Sequence, residues 1–389
     1  MGWKYEEDDV SDKPNKPSIF YYLLALIFAF VCGLILHYLH IKKELWVNIS
    51  NDFIIIYYLP VSLVMLLFVF HCYLFGRNLQ AWNIRVIEQA RVLEEWRRWA
   101  ARNVVLLDGF VLLPDKMTAS YLYEHPDVVE AQWGLAKKIT YLSLSVSKIK
   151  DLFNSLLYAI KDSINKLPQD YDMKITLFND YPASQWLVLE NAFSEAWQIL
   201  FPERRLLKRV NVSDNFSIEH MDEWFRQGGN DYQLSVVLQL NGKDNYSDSI
   251  ATMIFAVDDL YADKQPAFKA KILRVMPLDE NEIESDFSVF FRLQSDACQA
   301  KYLVGDNKNI MRYLPAIYKT AKERNINLKP ENIKINEMFS GLQGPFAEAI
   351  LIAFSSDLSR KINAPCLVIS NSGGWVGTVI PGKSSFSNQ

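Results

Sequence analysis

The chain has 389 residues, half of them apolar and 22% charged, a globular composition long enough for two or three domains. Its 41 Lys and Arg against 45 Asp and Glu give a net charge of −4, with no basic excess to track a phosphate backbone, so nucleic-acid binding is excluded. The four cysteines, Cys32, Cys72, Cys298 and Cys366, show no C-x-x-C spacing, so neither a disulfide framework nor a zinc site is indicated.

In chain order, residues 1–18 form a tail whose Glu6-Glu7-Asp8-Asp9 is acidic where a signal peptide would be basic. Ile19 to Leu36 is an unbroken apolar or aromatic run. Phe53 to Phe75 is a second, interrupted only by Pro60, Ser62 and His71. About 20 such residues cross the roughly 30 Å of a bilayer's hydrocarbon, so residues 19–76 read as a transmembrane hairpin. Lys4, Lys13, Lys16, Arg77, Arg85, Arg91, Arg97, Arg98 and Arg102 flank the spans, against Lys42 and Lys43 between them. That bias predicts that both termini are cytoplasmic. Residues 77–102 repeat apolar positions at helical spacing, through Leu79, Trp82, Val86, Ala90, Leu93, Trp96 and Ala100. The helix either packs on the globular region or lays Arg77, Arg85 and Arg91 on anionic lipid headgroups.

Beyond it an α/β region is expected, as a first subdomain over 103–220 and a second over 221–382, with a polar, disordered tail at 383–389. Strand character marks Val104–Leu107, Met173–Phe178, Gln233–Leu240, Ser249–Val257, Lys269–Met276 and Phe287–Leu293. Helical character marks 127–147, 148–167, 183–200, 309–324 and 346–362. The C-terminal end is a strand at Pro365–Ile369, a turn at Asn371-Ser-Gly-Gly374 and a returning strand at Trp375–Ile380.

Side chains that carry common chemistry are scarce. Only His125 and His220 lie outside the membrane segment, and both read as surface histidines near helix starts. G-x-S-x-G, H-E-x-x-H and the phosphate-binding G-x-x-x-x-G-K-[ST] are all absent. Asp258-Asp259 reads as the start of a turn, Glu348 as a carboxylate complementing a helix dipole, and Cys366 as a core thiol. No catalytic, cofactor-binding or metal-binding residue is assigned, so a binding role and no enzymatic activity are expected. Trp186, Trp197 and Trp224 are the candidate interface anchors, of which one at most is expected to serve.

The segment Gly341-Leu-Gln-Gly-Pro-Phe-Ala-Glu-Ala-Ile-Leu-Ile-Ala-Phe, then Ala364-Pro-Cys-Leu-Val-Ile-Ser and Gly373-Gly-Trp-Val-Gly-Thr-Val, resembles the type VI secretion lipase-adaptor family over most of residues 100–382. That resemblance implies a non-enzymatic adaptor at a bacterial inner membrane, whose partners would be a secreted lipase effector, the spike protein and membrane lipid. The alternatives are a membrane-anchored scaffold or immunity-type protein, and a thiolase-like enzyme. The same C-terminal hairpin is similar to the ending of thiolase-like and ketoacyl-synthase folds. Those enzymes use a nucleophilic cysteine with histidine partners, and neither Cys298 nor Cys366 has a histidine near it in sequence.

Overall fold

A computed structural model describes residues 2–5, 12–41, 53–125, 130–141, 148–168, 173–204, 210–218, 232–257 and 267–382. The chain divides into two units, Glu6–Glu95 and a globular unit of Met1–Tyr5 with Trp96–Gln389.

In the first unit the two apolar runs are the helices α1 (Ile19–Ile41) and α2 (Phe53–Ala100), the latter a single 48-residue helix whose end from Trp96 belongs to the globular unit. Both are apolar and long enough to cross a membrane. Their side chains stand outward, as with Ile19 at 70% and Leu66 at 67% exposure, which water would penalise and hydrocarbon would not. The polar interruption is met across the hairpin: the Tyr22 hydroxyl lies 2.7 Å from His71 Nδ1, and the Tyr22 ring meets Phe68 edge-on.

The globular unit contains β1 (Asn103–Leu112), α3 (Ala119–Glu124), α4 (Ile149–Ala159), α5 (Lys161–Lys166), β2 (Met173–Asn179), α6 (Trp186–Leu200), β3 (Asn211–Ser213), β4 (Tyr232–Gln239) and β5 (Ser249–Val257). It continues with β6 (Ala270–Leu273), β7 (Met276–Pro277), α7 (Ile283–Leu293), β8 (Tyr302–Gly305), α8 (Leu314–Glu323), β9 (Ile333–Ile335), α9 (Asn336–Ser340), α10 (Ala347–Ile362), β10 (Cys366–Ser370) and β11 (Trp375–Pro381).

Ten of these strands run in one sheet in the order β3-β2-β4-β5-β1-β6-β11-β10-β8-β9, with β7 beside β11. The order is a repeat. In the first half β3, β2 and β4 are parallel, and β5 runs antiparallel to both β4 and β1. In the second half β9, β8 and β10 are parallel, and β11 runs antiparallel to both β10 and β6. The halves join through the antiparallel pair β1–β6, where Val104 faces Ile272. Two βαβ-rich halves of identical strand order, related by an approximate two-fold, make this an α/β fold of thiolase-like type.

Strands buried on both faces explain why β4 and β5 read as continuous apolar runs. Alternate β1 residues serve two cores. Val105 and Leu107 pack with α4 and α6, while Val104 and Leu106 pack with α10. A third core sets α7 and α8 against the second half through Phe287, Phe290, Ile317 and Leu367. Helix α10 is buried nearly all round, from Ala349 to Ser359, because it lies against strands of both halves.

The structure corrects several expectations. Residues 130–141 are not helical, because their peptide groups pair at long range. Gln132 N donates to Met338 O, Lys137 N to Ser247 Oγ and Ile139 N to Asp248 Oδ2. Phe287–Leu293 is helix, not strand: Phe287, Phe290 and Phe291 share one face, and Glu284 and Asp286 complement the dipole at its start. In the sheet the first half closes with β5 at Val257 and the second opens with β6 at Ala270. The tail 383–389 lies outside the described residues.

Candidate functional site

The two-fold repeats in side chains as well as strands. Asp180 follows β2 and accepts from the backbone N–H of Leu240 (3.1 Å) and Asn241 (2.7 Å), the two residues after β4, and from the Tyr246 hydroxyl at 3.1 Å. Asp306 follows β8, the equivalent strand. It accepts from the N–H of Asn371 (3.0 Å) and Ser372 (2.8 Å), the two residues after β10, and from Ser370 Oγ at 3.1 Å. In each half, then, one carboxylate at a strand's C-terminal end fixes the turn between the fourth and fifth strands. In the second half that turn is Asn371–Gly374, so Asp306 sets where Gly373 and Trp375 stand.

The halves meet at the start of α10. The chain enters through Gly341, at φ +81°, where a Cβ would strike the Leu135 carbonyl. Gln239, the last residue of β4, donates from Nε2 to Ser247 O at 2.8 Å and accepts from Phe346 N at 3.1 Å. It thereby satisfies one of the N–H groups that a helix start leaves unpaired. Glu348 lies in the first turn. Its Oε2 accepts from Ile218 N of the first half at 3.2 Å and from Trp375 Nε1 of the second half at 3.1 Å. Gly373 stands against the same group, so close that a Cβ added there would lie only 2.5 Å from Glu348 Oε1. Glu348 is thus an oriented, half-buried carboxylate held by donors from both halves. Its first-turn position does complement the helix dipole, as expected, but no local pattern in the sequence signals the two long-range donors.

The thiols are not activated. Cys366 is fully buried in β10, and burial pushes its thiol far up. Cys298 donates weakly to Phe291 O at 3.4 Å, and burial raises its thiol too. Neither stands in the first turn of α10 or on the segment 214–218 that meets it. Among the described residues no group of three His, Cys, Asp or Glu is arranged to hold a metal.

The other sequence candidates do not converge here. His125 is exposed and stacks on Tyr121 at the end of α3. Trp197, read as a candidate interface anchor, is instead a core residue at 1% exposure; it donates to Arg204 O at 2.9 Å because α6 turns that face onto Phe193 and Phe201. Trp186 is half-buried and donates to Tyr181 O at 3.1 Å. Arg77 and Arg85 are exposed on α2, and Arg91 is exposed but paired with Glu88 and Glu95. His220, Trp224 and Asp258-Asp259 lie outside the described residues. A pocket of about 310 Å³, lined by Ile164, Leu167, Leu200, Phe201 and Arg204, is in the outer helical layer and shares no residue with the α10 junction.

No family model matches the chain, and no curated protein matches it. Solved structures do. A ketosynthase domain of Streptomyces albus is 9% identical, with 72% of this chain and 95% of that one covered at a TM-score of 0.48. A β-ketoacyl synthase of Burkholderia phymatum is 9% identical, with 73% and 100% covered at 0.46. OleA of Xanthomonas campestris, with cerulenin, is 11% identical, with 73% and 98% covered at 0.44. Identities this low speak to the fold. The comparisons correct one sequence expectation. No family model supports the type VI secretion adaptor, and the solved structures that resemble the chain are ketosynthases and related enzymes, which goes against the expected non-enzymatic adaptor.

Proposed function

We propose that this chain is a membrane-anchored enzyme of the thiolase-like class that acts on an acyl compound at the junction of its two halves, with Glu348 as the proton acceptor. The observation that carries the reading is the carboxylate itself: Glu348 is held by one N–H from each half at the first turn of the helix that both halves cover. An oriented carboxylate of this kind is worth about 10² to 10⁴ in rate when it moves a proton in the transition state. The acyl substrate is supported only by the fold, whose relatives include ketosynthases. Neither thiol of the globular unit stands at this junction, since Cys298 meets Phe291 O and Cys366 is buried in β10, so the reading assigns no cysteine nucleophile. The apolar hairpin supports an anchor in a bilayer, and the lysine and arginine bias around it supports cytoplasmic termini, with Arg77, Arg85 and Arg91 near the headgroups.

The test is hydrolysis of a panel of acyl-coenzyme A thioesters by the full-length protein in nanodiscs, in which water takes the acyl group, gives its proton to Glu348 and the thiolate leaves to be protonated, read as release of free thiol. Turnover that falls about a hundredfold in Glu348→Gln and persists in Cys298→Ser supports the reading. Absence of turnover across the panel, or full activity in Glu348→Gln, overturns it.

A further inference from the structure

The first five residues of the chain belong to the globular unit, while Glu6 onward belongs to the helical one. Gly2–Tyr5 packs on the globular unit, among residues that lie at the end of α2 and on α7. The Trp3 ring meets Trp99 edge-on at 5.2 Å and Phe290 at 5.9 Å. The Tyr5 ring meets Trp96 at 6.0 Å, and Trp96 meets Trp99 at 5.2 Å. Two guanidinium groups close this aromatic cluster. Arg274 lies 4.2 Å from the Trp99 ring centre and Arg292 lies 5.4 Å from that of Tyr5. At Gly2 the backbone approaches Asp286 so closely that a Cβ would strike its carboxylate.

The groups that receive the tail are themselves tied to the sheet. Gln294, 1% exposed, donates from Nε2 to Ala100 O at 3.0 Å and to Arg274 O at 2.6 Å, and its Oε1 accepts from Thr378 Oγ1 at 2.8 Å. One buried amide therefore joins the end of α2, the end of β6 and the middle of β11. Arg97 adds a bond from Nε to Arg292 O at 3.3 Å.

We infer that residues 2–5 are a clasp: Trp3 and Tyr5 hold the start of the chain on the aromatic cluster of the globular unit, and the clasp can open without unfolding that unit. The clasp is independent of the acyl-directed reading, since none of its residues lies at the α10 junction. Its chemistry suits this role. Trp and Tyr give large contact area for few rotatable bonds, and arginine over an aromatic ring adds an attraction that does not need a buried counter-charge.

The test uses the full-length protein in native membranes. Trp3→p-benzoylphenylalanine, irradiated, is expected to give adducts on the peptides that hold Trp99 or Phe290. Trp3→Ala, at a position outside the sheet, is expected to speed protease cleavage within residues 6–18 about tenfold while the thermal midpoint of the globular unit stays unchanged. Adducts confined to lipid, or cleavage rates equal in Trp3→Ala and the parent chain, would overturn the clasp.

Discussion

At the scale of single residues, the junction depends on how closely Gly373 approaches its neighbours. A Cβ at that position would strike the Trp375 indole nitrogen and stand 2.5 Å from Glu348 Oε1. Gly373→Ala should therefore push Trp375 and Glu348 apart and cost about 1–3 kcal/mol, the usual range for overpacking. Chemical denaturation of the purified protein measures this, and a cost below the error of the method would show that the pair yields without strain. Asp180 makes a second case. Burial pushes its carboxyl above the ordinary carboxylate range, against the lowering effect of the Asn241, Leu240 and Tyr246 donors. A folded-state value above the unfolded one means that the folded state holds the proton longer. The contribution of Asp180 to stability is then greatest below the unfolded value of about 4 and is lost as pH rises through the folded value. Asp180→Asn should remove that slope, so the stability difference between parent and variant should change across the window above pH 4 and level off beyond it. A difference that is flat with pH from acid to neutral would refute the assignment.

Among elements, legibility follows length. The spans, β4, β5, α10 and the closing hairpin each carry enough residues for a period or an apolar run to show, and Ser249–Val257 is legible at its full extent. β3 and β9 have three residues each and β8 has four, too few for alternation to register. The aromatic stretch of α7 resembles a strand because Phe287, Phe290 and Phe291 carry strand propensity, while burial on one helical face decides the outcome. Residues 130–141 mislead for the opposite reason. Their apolar spacing suits a helix, yet Ser247 and Asp248 take the N–H groups a helix would need. The site is less legible still. Glu348 is visible as a charge in a helix start, but its partners Ile218 and Trp375 are brought to it by topology, which no local pattern records.

Across the whole globular unit, the duplication has an energetic consequence. The halves share strand order and the Asp180 and Asp306 turn clamps, and each has a core of its own, yet the core around α10 is built by both. The cluster around α10 includes Val104, Leu106, Val237, Met253 and Phe255 from the first half, together with Ile272, Val368 and Val379 from the second. Burying a large apolar side chain contributes about 1.5–3 kcal/mol, so the five first-half residues together contribute on the order of 10 kcal/mol. That equals the net stability of a typical domain, about 5–15 kcal/mol. The β1–β6 ladder adds backbone pairing that would be left as an open edge on each side if the halves parted. A chain divided between Val257 and Ala267 tests this directly. The fragment 267–389 expressed alone should show no cooperative thermal transition, because α10 would present to water the surface that β1 and β5 cover. Expressed together with residues 1–257, it should copurify with them and regain a single transition. A cooperative, monomeric 267–389 fragment would mean that the second half closes its own core and that the shared cluster is a docking surface between two independent domains.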